Sequence, residues 1–194
     1  MHCQKELIRD LASYSGWMPN ELLFQWFEDT YSTSKHLLNL YSIVKGSNAK
    51  NVLEIGFGRS SFVLAKAIGE NGGKLTTCDT RDFSYLLNEK EQTVTNFVYG
   101  KSDLIWKQKT VYDFAFLDYF SGETIPKKFV LQEIKNCIKQ MKMNGVIAIH
   151  DSIVNKYSIK KALNTLKYDW LGRSNGNLEI MSLPYNYGLA LIRV

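Results

Sequence analysis

The fold of this chain is decided by residues 51–79, which read NVLEIGFGRSSFVLAKAIGENGGKLTTCD. The apolar run at the start of the stretch predicts a strand that is buried on both faces of a sheet. Gly56 and Gly58 follow, and the missing Cβ of glycine allows a tight turn and a close backbone approach to a ligand. A helix predicted over 60–68 leads to a second strand ending at Asp79, where a carboxylate can accept hydrogen bonds from a ribose diol. The stretch therefore predicts a nucleoside-binding half-site.

The details of the glycine turn separate one nucleoside cofactor from another. A dinucleotide fingerprint reads G-x-G-x-x-G, with backbone amides around a pyrophosphate. In this chain Ser61 occupies the third glycine position, and Glu54 stands two residues before the first glycine. A carboxylate there repels a pyrophosphate but suits a ligand that carries an ammonium and a sulfonium group. Two alternatives stay open: a plain turn with an incidental buried glutamate, and an oxidoreductase or other Rossmann nucleotide enzyme, which Glu54 and Ser61 disfavour.

Two short motifs resemble those of a known family. Residues 54–58 (EIGFG) resemble motif I of the class I S-adenosylmethionine-dependent methyltransferases, and residues 77–80 (TCDT) resemble their second-strand acid motif. The resemblance implies S-adenosylmethionine as the cofactor. After the third strand this family often has Gly-Asp to meet the adenine amine, whereas residues 100–103 read GKSD, so Ser102 or its backbone amide is expected there. The implied cofactor-binding residues are Glu54, Gly56, Phe57, Gly58, Ser60, Ser61, Asp79, Thr80, Ser102 and Asp118.

The order of the predicted elements extends the resemblance over about residues 34–194. Further strands are predicted at 96–99, 112–117, 145–149, 178–183 and 189–194, and helices at 20–27, 34–45, 82–91, 127–142 and 158–167. The predicted fold class is α/β: a Rossmann-like, doubly wound, seven-stranded sheet with an antiparallel C-terminal hairpin and helices on both faces. We predict a single methyltransferase domain over 1–194, with a helical N-terminal segment at 1–46 and a Rossmann-like core at 47–194.

Within the family, the small O-methyltransferase-like subgroup is the most similar; it includes catechol O-methyltransferase and bacterial sugar or antibiotic methyltransferases. Residues 112–122 (YDFAFLDYFSG) and 143–152 (MNGVIAIHDS) are similar to the family's fourth-strand and fifth-strand motifs, and residues 184–192 (PYNYGLALI) resemble the C-terminal strand pair of the subgroup. The resemblance implies O-methylation of a small polyhydroxylated or sugar-like metabolite. Two other functions stay open: methylation of RNA or protein, and nucleoside binding by a Rossmann protein without turnover.

Candidate catalytic residues follow the fourth and fifth strands, where open α/β sheets bind ligands. Asp118 ends the fourth strand, and His150 and Asp151 end the fifth. His150 titrates near neutrality and can act as the general base for a hydroxyl nucleophile, or it can simply bond a loop carbonyl. In metal-dependent O-methyltransferases two acids and an Asn hold Mg²⁺, and the resemblance places Asp118, Asp151 and Ser152 at those positions. All-oxygen ligands suit Mg²⁺ or Mn²⁺. Without a metal, Asp118 is expected to bond cofactor or loop amides and Asp151 to order its own loop.

Composition places the chain among intracellular globular proteins. The 194 residues are 45% hydrophobic, carry a formal charge of +5, and contain no run long enough to span a bilayer. Three cysteines without metal-ligand spacing predict reduced thiols in a cytoplasmic protein. Clustered lysines are expected on solvated helix faces, which makes nucleic acid an unlikely partner; a homo-oligomer is compatible with the sequence. Among the remaining candidates, His36 is expected to be structural, and Trp17, Trp26, Phe27 and Tyr31 are expected either to roof the substrate pocket as a lid or to pack on the sheet edge.

Overall fold

The structure is a computed structural model that describes residues 33–119, 125–153, 158–171 and 178–194. In these ranges the strands are β1 (Asn51–Ile55), β2 (Lys74–Asp79), β3 (Thr95–Tyr99), β4 (Tyr112–Leu117), β5 (Met141–His150), β6 (Glu179–Leu183) and β7 (Leu189–Arg193). The helices are α1 (Ser34–Gly46), α2 (Arg59–Glu70), α3 (Glu89–Val94), α4 (Asp103–Trp106), α5 (Lys127–Lys139) and α6 (Ile159–Leu171), with a 3₁₀ turn at Ser84–Leu86. The predicted helix over 20–27 and the four aromatic lid candidates lie outside the described residues.

The strands form one sheet in the order β3-β2-β1-β4-β5-β7-β6. The first five are parallel, while β7 runs antiparallel between β5 and β6. The predicted fold class is therefore confirmed, including its antiparallel C-terminal pair. The strand order reverses between β1 and β4, and ligands bind at such a switch point, beyond the carboxyl ends of the strands.

The sheet is buried on both faces because alternate residues of its central strands face opposite layers. Val52 and Phe114 lie in a cluster with residues of α1 and α2, such as Leu40 and Phe62. Their neighbours on the other face lie in a second cluster, which contains Leu53, Ala115, Ile134, Ile147 and Ile159. This two-sided packing fixes the strand ends rigidly, so the loops that follow them are held at defined positions.

The prediction of a helix over 82–91 is wrong in its position. Asn88 caps α3, since its side chain accepts a hydrogen bond from the amide of Glu91 at 3.0 Å, while the Glu91 carboxylate accepts from the amide of Asn88 at 2.8 Å. Such a reciprocal capping box starts a helix at the following residue. Upstream, Asp82 accepts from the amide of Ser84 at 2.9 Å, which stabilises a turn instead of a helix.

The predicted helix over 127–142 is too long. Gln140 ends it: its backbone carbonyl accepts from the amide of Tyr112 at 2.8 Å, and its side-chain amide donates to the carbonyl of Gln108 at 2.8 Å. These bonds draw the chain toward β4, and β5 begins at Met141 rather than at residue 145. The sequence also favours Ser34 as the cap of α1, but Ser34 is its first helical residue and Thr33 occupies the cap position.

Candidate active site

The glycine turn after β1 lies against the end of β4. Gly56 has φ +99°, and a Cβ added there would overlap the carbonyl oxygen of Asp118 and lie 2.9 Å from its carbonyl carbon. Only glycine tolerates both this positive φ and the close approach of the Asp118 carbonyl. Gly58 differs, since its backbone is extended at φ −165° and nothing lies within 4 Å of an added Cβ. The turn therefore needs glycine at the first position to bring β1 and β4 together, whereas the second glycine leaves open space.

Glu54 stabilises the glycine turn through buried hydrogen bonds. Its side chain is completely buried and accepts hydrogen bonds from Ser60 Oγ at 2.6 Å, Ser61 Oγ at 2.5 Å and Thr77 Oγ1 at 2.7 Å. Ser61 Oγ in turn accepts from the amide of Gly58 at 3.0 Å. Burial raises the pKa of Glu54 to about 7, against the lowering effect of the three hydroxyls. Glu54, Ser60 and Ser61 thus fix β1, β2 and the first turn of α2 relative to one another.

Asp79 lies at the predicted position beside this turn. Its carboxylate accepts from the amide of Phe57 at 2.9 Å and from the amide of Arg81 at 2.8 Å, one bond to each oxygen. Each carboxylate oxygen can accept a further hydrogen bond. The Phe57 ring packs into the core against Phe62 and Phe83, so its backbone amide rather than its side chain belongs to the site.

A cavity of about 360 Å³ opens beyond the ends of β1, β2 and β3. Its lining residues are Ile55, Gly56, Cys78, Asp79, Thr80, Gly100, Lys101, Ser102, Asp103, Tyr119, Phe129 and Glu133. This volume falls in the range of ligand pockets. A larger hollow of about 790 Å³ lies between α2 and α3, and none of the predicted site residues lines it. The smaller cavity, at the switch point, is therefore the candidate cofactor site.

The structure divides the predicted cofactor-binding residues into two groups. Gly56, Asp79, Thr80 and Ser102 line the cavity. The others stand behind the turn or beside the cavity and do not line it: Glu54, Phe57, Gly58, Ser60, Ser61 and Asp118.

Sequence reasoning missed Tyr119, Phe129 and Glu133, which line the same cavity. Tyr119 directly follows Asp118, which is a local signal, but nothing in the sequence shows that α5 brings Phe129 and Glu133 to the cavity.

The three candidate catalytic residues meet at the ends of β4 and β5. His150 Nδ1 lies 2.9 Å from Asp118 Oδ1 and 3.5 Å from Asp151 Oδ1. The side chain of Asp118 is 21% exposed, whereas those of His150 and Asp151 are 3% and 8% exposed. Asp151 adopts φ +59°, an uncommon backbone conformation that aspartate tolerates better than most residues. Asp118 is therefore the member of the cluster that a ligand can reach.

His36 of α1 packs against this cluster, which the sequence did not indicate. Its ring is fully buried and meets the ring of His150 edge to face, with 5.3 Å between the ring centroids. Burial and the adjacent His150 lower the pKa of His36 to about 4. His36 is thus a neutral, buried ring that packs against His150. A structural role was expected from the sequence, but its position beside the catalytic cluster was not.

Ser152, the third predicted metal ligand, directly follows Asp151 and lies against the β6–β7 turn. Ser152 is buried, and its amide donates to the carbonyl of Gly188 in the β6–β7 turn at 3.3 Å. A Cβ added to Gly188 would lie 2.8 Å from Ser152 Oγ, so this hydroxyl packs under the turn. The donor atoms of Asp118, His150 and Asp151 lie within 4.8 Å of one another. Two carboxylates and an imidazole are an acceptable ligand set for a divalent cation.

Comparison with known proteins agrees with this geometry. A family described as "Methyltransferase domain" matches residues 53–152. None of the curated proteins compared with the chain matches it. Several solved structures match the chain. Their sequence identities, given below, are low, so these matches show that the chain shares their fold.

Among these structures, an SAH-bound methyltransferase of Podospora anserina is 14% identical, covers 99% of this chain and 95% of its own, and has a TM-score of 0.65. An O-methyltransferase of Bacillus cereus in complex with SAH is 15% identical, covers 91% and 90%, and has a TM-score of 0.63. The TDP-rhamnose 3′-O-methyltransferase of calicheamicin biosynthesis is 16% identical, covers 96% and 91%, and has a TM-score of 0.58.

The family match covers more than half of the chain, and the chain belongs to this methyltransferase family. The predicted class, a methyltransferase with the class I fold, is confirmed by the family match and by the fold of the similar structures. No helix within the described ranges is long and apolar enough to cross a membrane.

Proposed function

We propose that the protein transfers the methyl group of S-adenosylmethionine to a hydroxyl oxygen of a small, polyhydroxylated or sugar-like acceptor. The observation that carries this proposal is the Asp118–His150–Asp151 cluster, which stands beside the glycine turn and next to the cofactor cavity. An acceptor hydroxyl must lose its proton as the new oxygen–carbon bond forms, and a positioned proton acceptor accelerates such a step about 10²–10⁴-fold. The cluster supplies proton acceptors at the place where the methyl group is expected.

Asp118 is the residue that meets the acceptor in this proposal, because it is the exposed member of the cluster. Its carboxylate takes the hydroxyl proton while the oxygen attacks the methyl carbon and the bond from that carbon to sulfur breaks. His150, hydrogen-bonded to the same carboxylate at 2.9 Å, orients Asp118 and stabilises its charge. Buried His150 thus acts through Asp118 rather than as the base that touches the acceptor, which refines the role predicted from the sequence.

A divalent metal is the second candidate for activating the acceptor. Asp118, His150 and Asp151 would hold it; Ser152, which packs under the β6–β7 turn, is the weaker candidate ligand. Such a cation lowers the pKa of a bound hydroxyl. The imidazole makes the set better suited to Mn²⁺, Fe²⁺ or Zn²⁺ than to the Mg²⁺ expected from the sequence, because Mg²⁺ prefers oxygen ligands.

Several finer features belong to the same proposal. Two of the similar structures are named as O-methyltransferases, one acting on a nucleotide sugar, which supports oxygen as the methyl acceptor. The exposed lysines of α5 and α6 alternate with residues packed in the core, as solvated helix faces do, which favours a small molecule over nucleic acid. A cytoplasmic location, a homo-oligomeric state and a single domain with residues 1–46 as a helical segment complete the proposal.

The test measures SAH release with S-adenosylmethionine and a panel of sugars, nucleotide sugars and catechols, with and without EDTA. For an accepted compound, we expect Asp118→Asn to lose about 10²–10⁴-fold in rate and His150→Gln to lose a large part of the same factor. Glu179→Gln, which removes an exposed carboxylate on β6, is the matched control and should keep the parental rate.

The same measurement separates the two mechanisms. Activity that survives EDTA supports Asp118 as the base, whereas activity restored only by added Mn²⁺, Fe²⁺ or Zn²⁺ supports the metal. Near-parental rates in both variants contradict both mechanisms and leave alignment of the reactants as the source of catalysis.

A further inference from the structure

The cofactor cavity is lined by a buried carboxylate that the proposed chemistry does not use. Glu133 lies in α5 and is only 6% exposed. It accepts hydrogen bonds from Ser102 Oγ at 2.6 Å, from Trp106 Nε1 at 3.0 and 3.1 Å, and from the phenol of Tyr119. Three neutral donors from three segments of the chain therefore converge on one carboxylate that also lines the cavity.

The two oxygens of this carboxylate are unequally used. Oε2 accepts from all three donors, whereas Oε1 accepts only the longer contact from Trp106, at 3.1 Å, within the part of the chain that the structure describes. An ionised carboxylate offers about four lone-pair sites on its two oxygens, and the donors here are concentrated on Oε2. Oε1 thus retains capacity for a donor that enters the cavity.

The donor expected there is set by the rest of the cavity. Asp79 is suited to the ribose hydroxyls, so the base is expected against the other lining residues, which include the aromatic Tyr119 and Phe129. Purine faces stack on such rings. Adenine has one exocyclic donor group, its 6-amino group, and the carboxylates near the rings are Glu133 and Asp103.

We propose that Glu133 recognises the adenine base of the cofactor, with its carboxylate accepting a hydrogen bond from the 6-amino group. Ser102, which the sequence suggested for this contact, instead donates its own proton to Glu133. Asp103 is the weaker candidate because its side chain is 58% exposed and pairs with Lys107 at 2.8 Å, where water competes for any contact. This inference rests on the proposed function, since it assigns a residue to the same cofactor.

The assignment determines specificity as well as affinity. A 6-oxo purine presents an oxygen lone pair at the position of the amino group, and a buried carboxylate repels it. Tyr119 and Trp106 hold Glu133 so that it cannot turn away from the cavity. The protein should therefore prefer an adenosyl ligand to its inosyl counterpart.

The experiment measures binding of S-adenosyl-L-homocysteine and S-inosyl-L-homocysteine by calorimetry to the full chain and its variants. The parent should prefer the adenosyl ligand by about ten- to a hundredfold, as expected for one hydrogen bond to a charged group. In Glu133→Gln this preference should fall below about threefold, because an amide can donate to the 6-oxo group as readily as it accepts from the 6-amino group. Asp103→Asn tests the weaker candidate and should keep the parental preference.

The ratio of the two affinities separates recognition from a merely structural role. If Glu133 had only a structural role, the Glu133→Gln substitution would weaken the binding of both ligands equally. An unchanged affinity ratio in Glu133→Gln, or loss of the ratio in Asp103→Asn, therefore overturns the inference. If circular dichroism shows that Glu133→Gln is unfolded, Glu133→Asp serves instead, since it withdraws the carboxylate by one methylene and should also reduce the ratio. Failure of the parent to bind the adenosyl ligand would overturn the proposed function together with the inference, whereas tight binding without base preference overturns the inference alone.

Discussion

At the scale of single residues, two buried titratable groups change the stability of the fold in opposite directions with pH. The pKa of Glu54 is raised to about 7, so its stabilising contribution is full below about pH 4.5 and is lost as the pH rises through 7. The pKa of His36 is lowered to about 4, so its contribution is full above about pH 6.5 and is lost as the pH falls through 4. Between about pH 4.5 and 6.5, the two groups therefore change the free energy of unfolding in opposite directions.

Single substitutions should expose each effect. Relative to the parent, the free energy of unfolding of Glu54→Gln should rise more steeply with pH between about 4.5 and 7, while that of His36→Phe should fall more steeply between about 4 and 6.5. Each difference should be on the order of 3 kcal/mol across its window. Urea unfolding at several pH values measures both slopes, and curves parallel to that of the parent would contradict the assigned shifts.

A second prediction at this scale concerns Asp79. The Asp79→Asn variant keeps an acceptor for the amide of Phe57 but loses the charge, so we expect S-adenosyl-L-homocysteine to bind about ten- to a hundredfold more weakly to a folded protein. Arg81→Ala is the control: its guanidinium is 59% exposed and 3.9 Å from Asp79, so affinity should change less than about threefold. Equal affinities of the Asp79→Asn variant and the parent would remove Asp79 from the ribose site.

At the scale of elements, the two glycines of the turn should behave differently. Gly56→Ala should destabilise the protein strongly, because the positive φ and the overlap with Asp118 both oppose a side chain. Gly58→Val should cost less than about 2 kcal/mol, since the extended backbone accepts any residue, yet it should weaken cofactor binding by filling the open space beside the turn. Thermal unfolding and calorimetry separate the two; a stable Gly56→Ala variant would contradict the close approach of β1 and β4.

Elements whose apolar residues alone determine them were predicted well. The bounds of β4 agree with the sequence, because its buried residues form a nearly continuous apolar run; β2 ends at Asp79 as predicted, and β3 begins one residue earlier than predicted. The errors arose where one side chain ends or begins an element, as Asn88 and Gln140 do.

For the site, the glycine turn and Asp79 could be predicted from the local sequence. Glu133 and His36 could not, since their roles depend on which helix packs beside which strand end.

At the scale of the whole molecule, the late hairpin supports the catalytic cluster. The amide of Ser152 donates to the carbonyl of Gly188, the amide of Ile153 donates to that of Tyr187 at 3.1 Å, and β5 pairs with β7 through His150. The loop that carries Asp151 is therefore held by residues that follow it by more than thirty positions.

This pairing has a consequence for biosynthesis. While the ribosome is still adding residues 187–193, the nucleoside half-site, complete by residue 133, already has all its walls, but β5 has no antiparallel neighbour to hold its carboxyl end. A nascent chain at that stage has the parts to bind cofactor before it has the brace that sets His150 and Asp151. In the order of synthesis, the residues of the nucleoside half-site are therefore complete before the strand that braces His150 and Asp151.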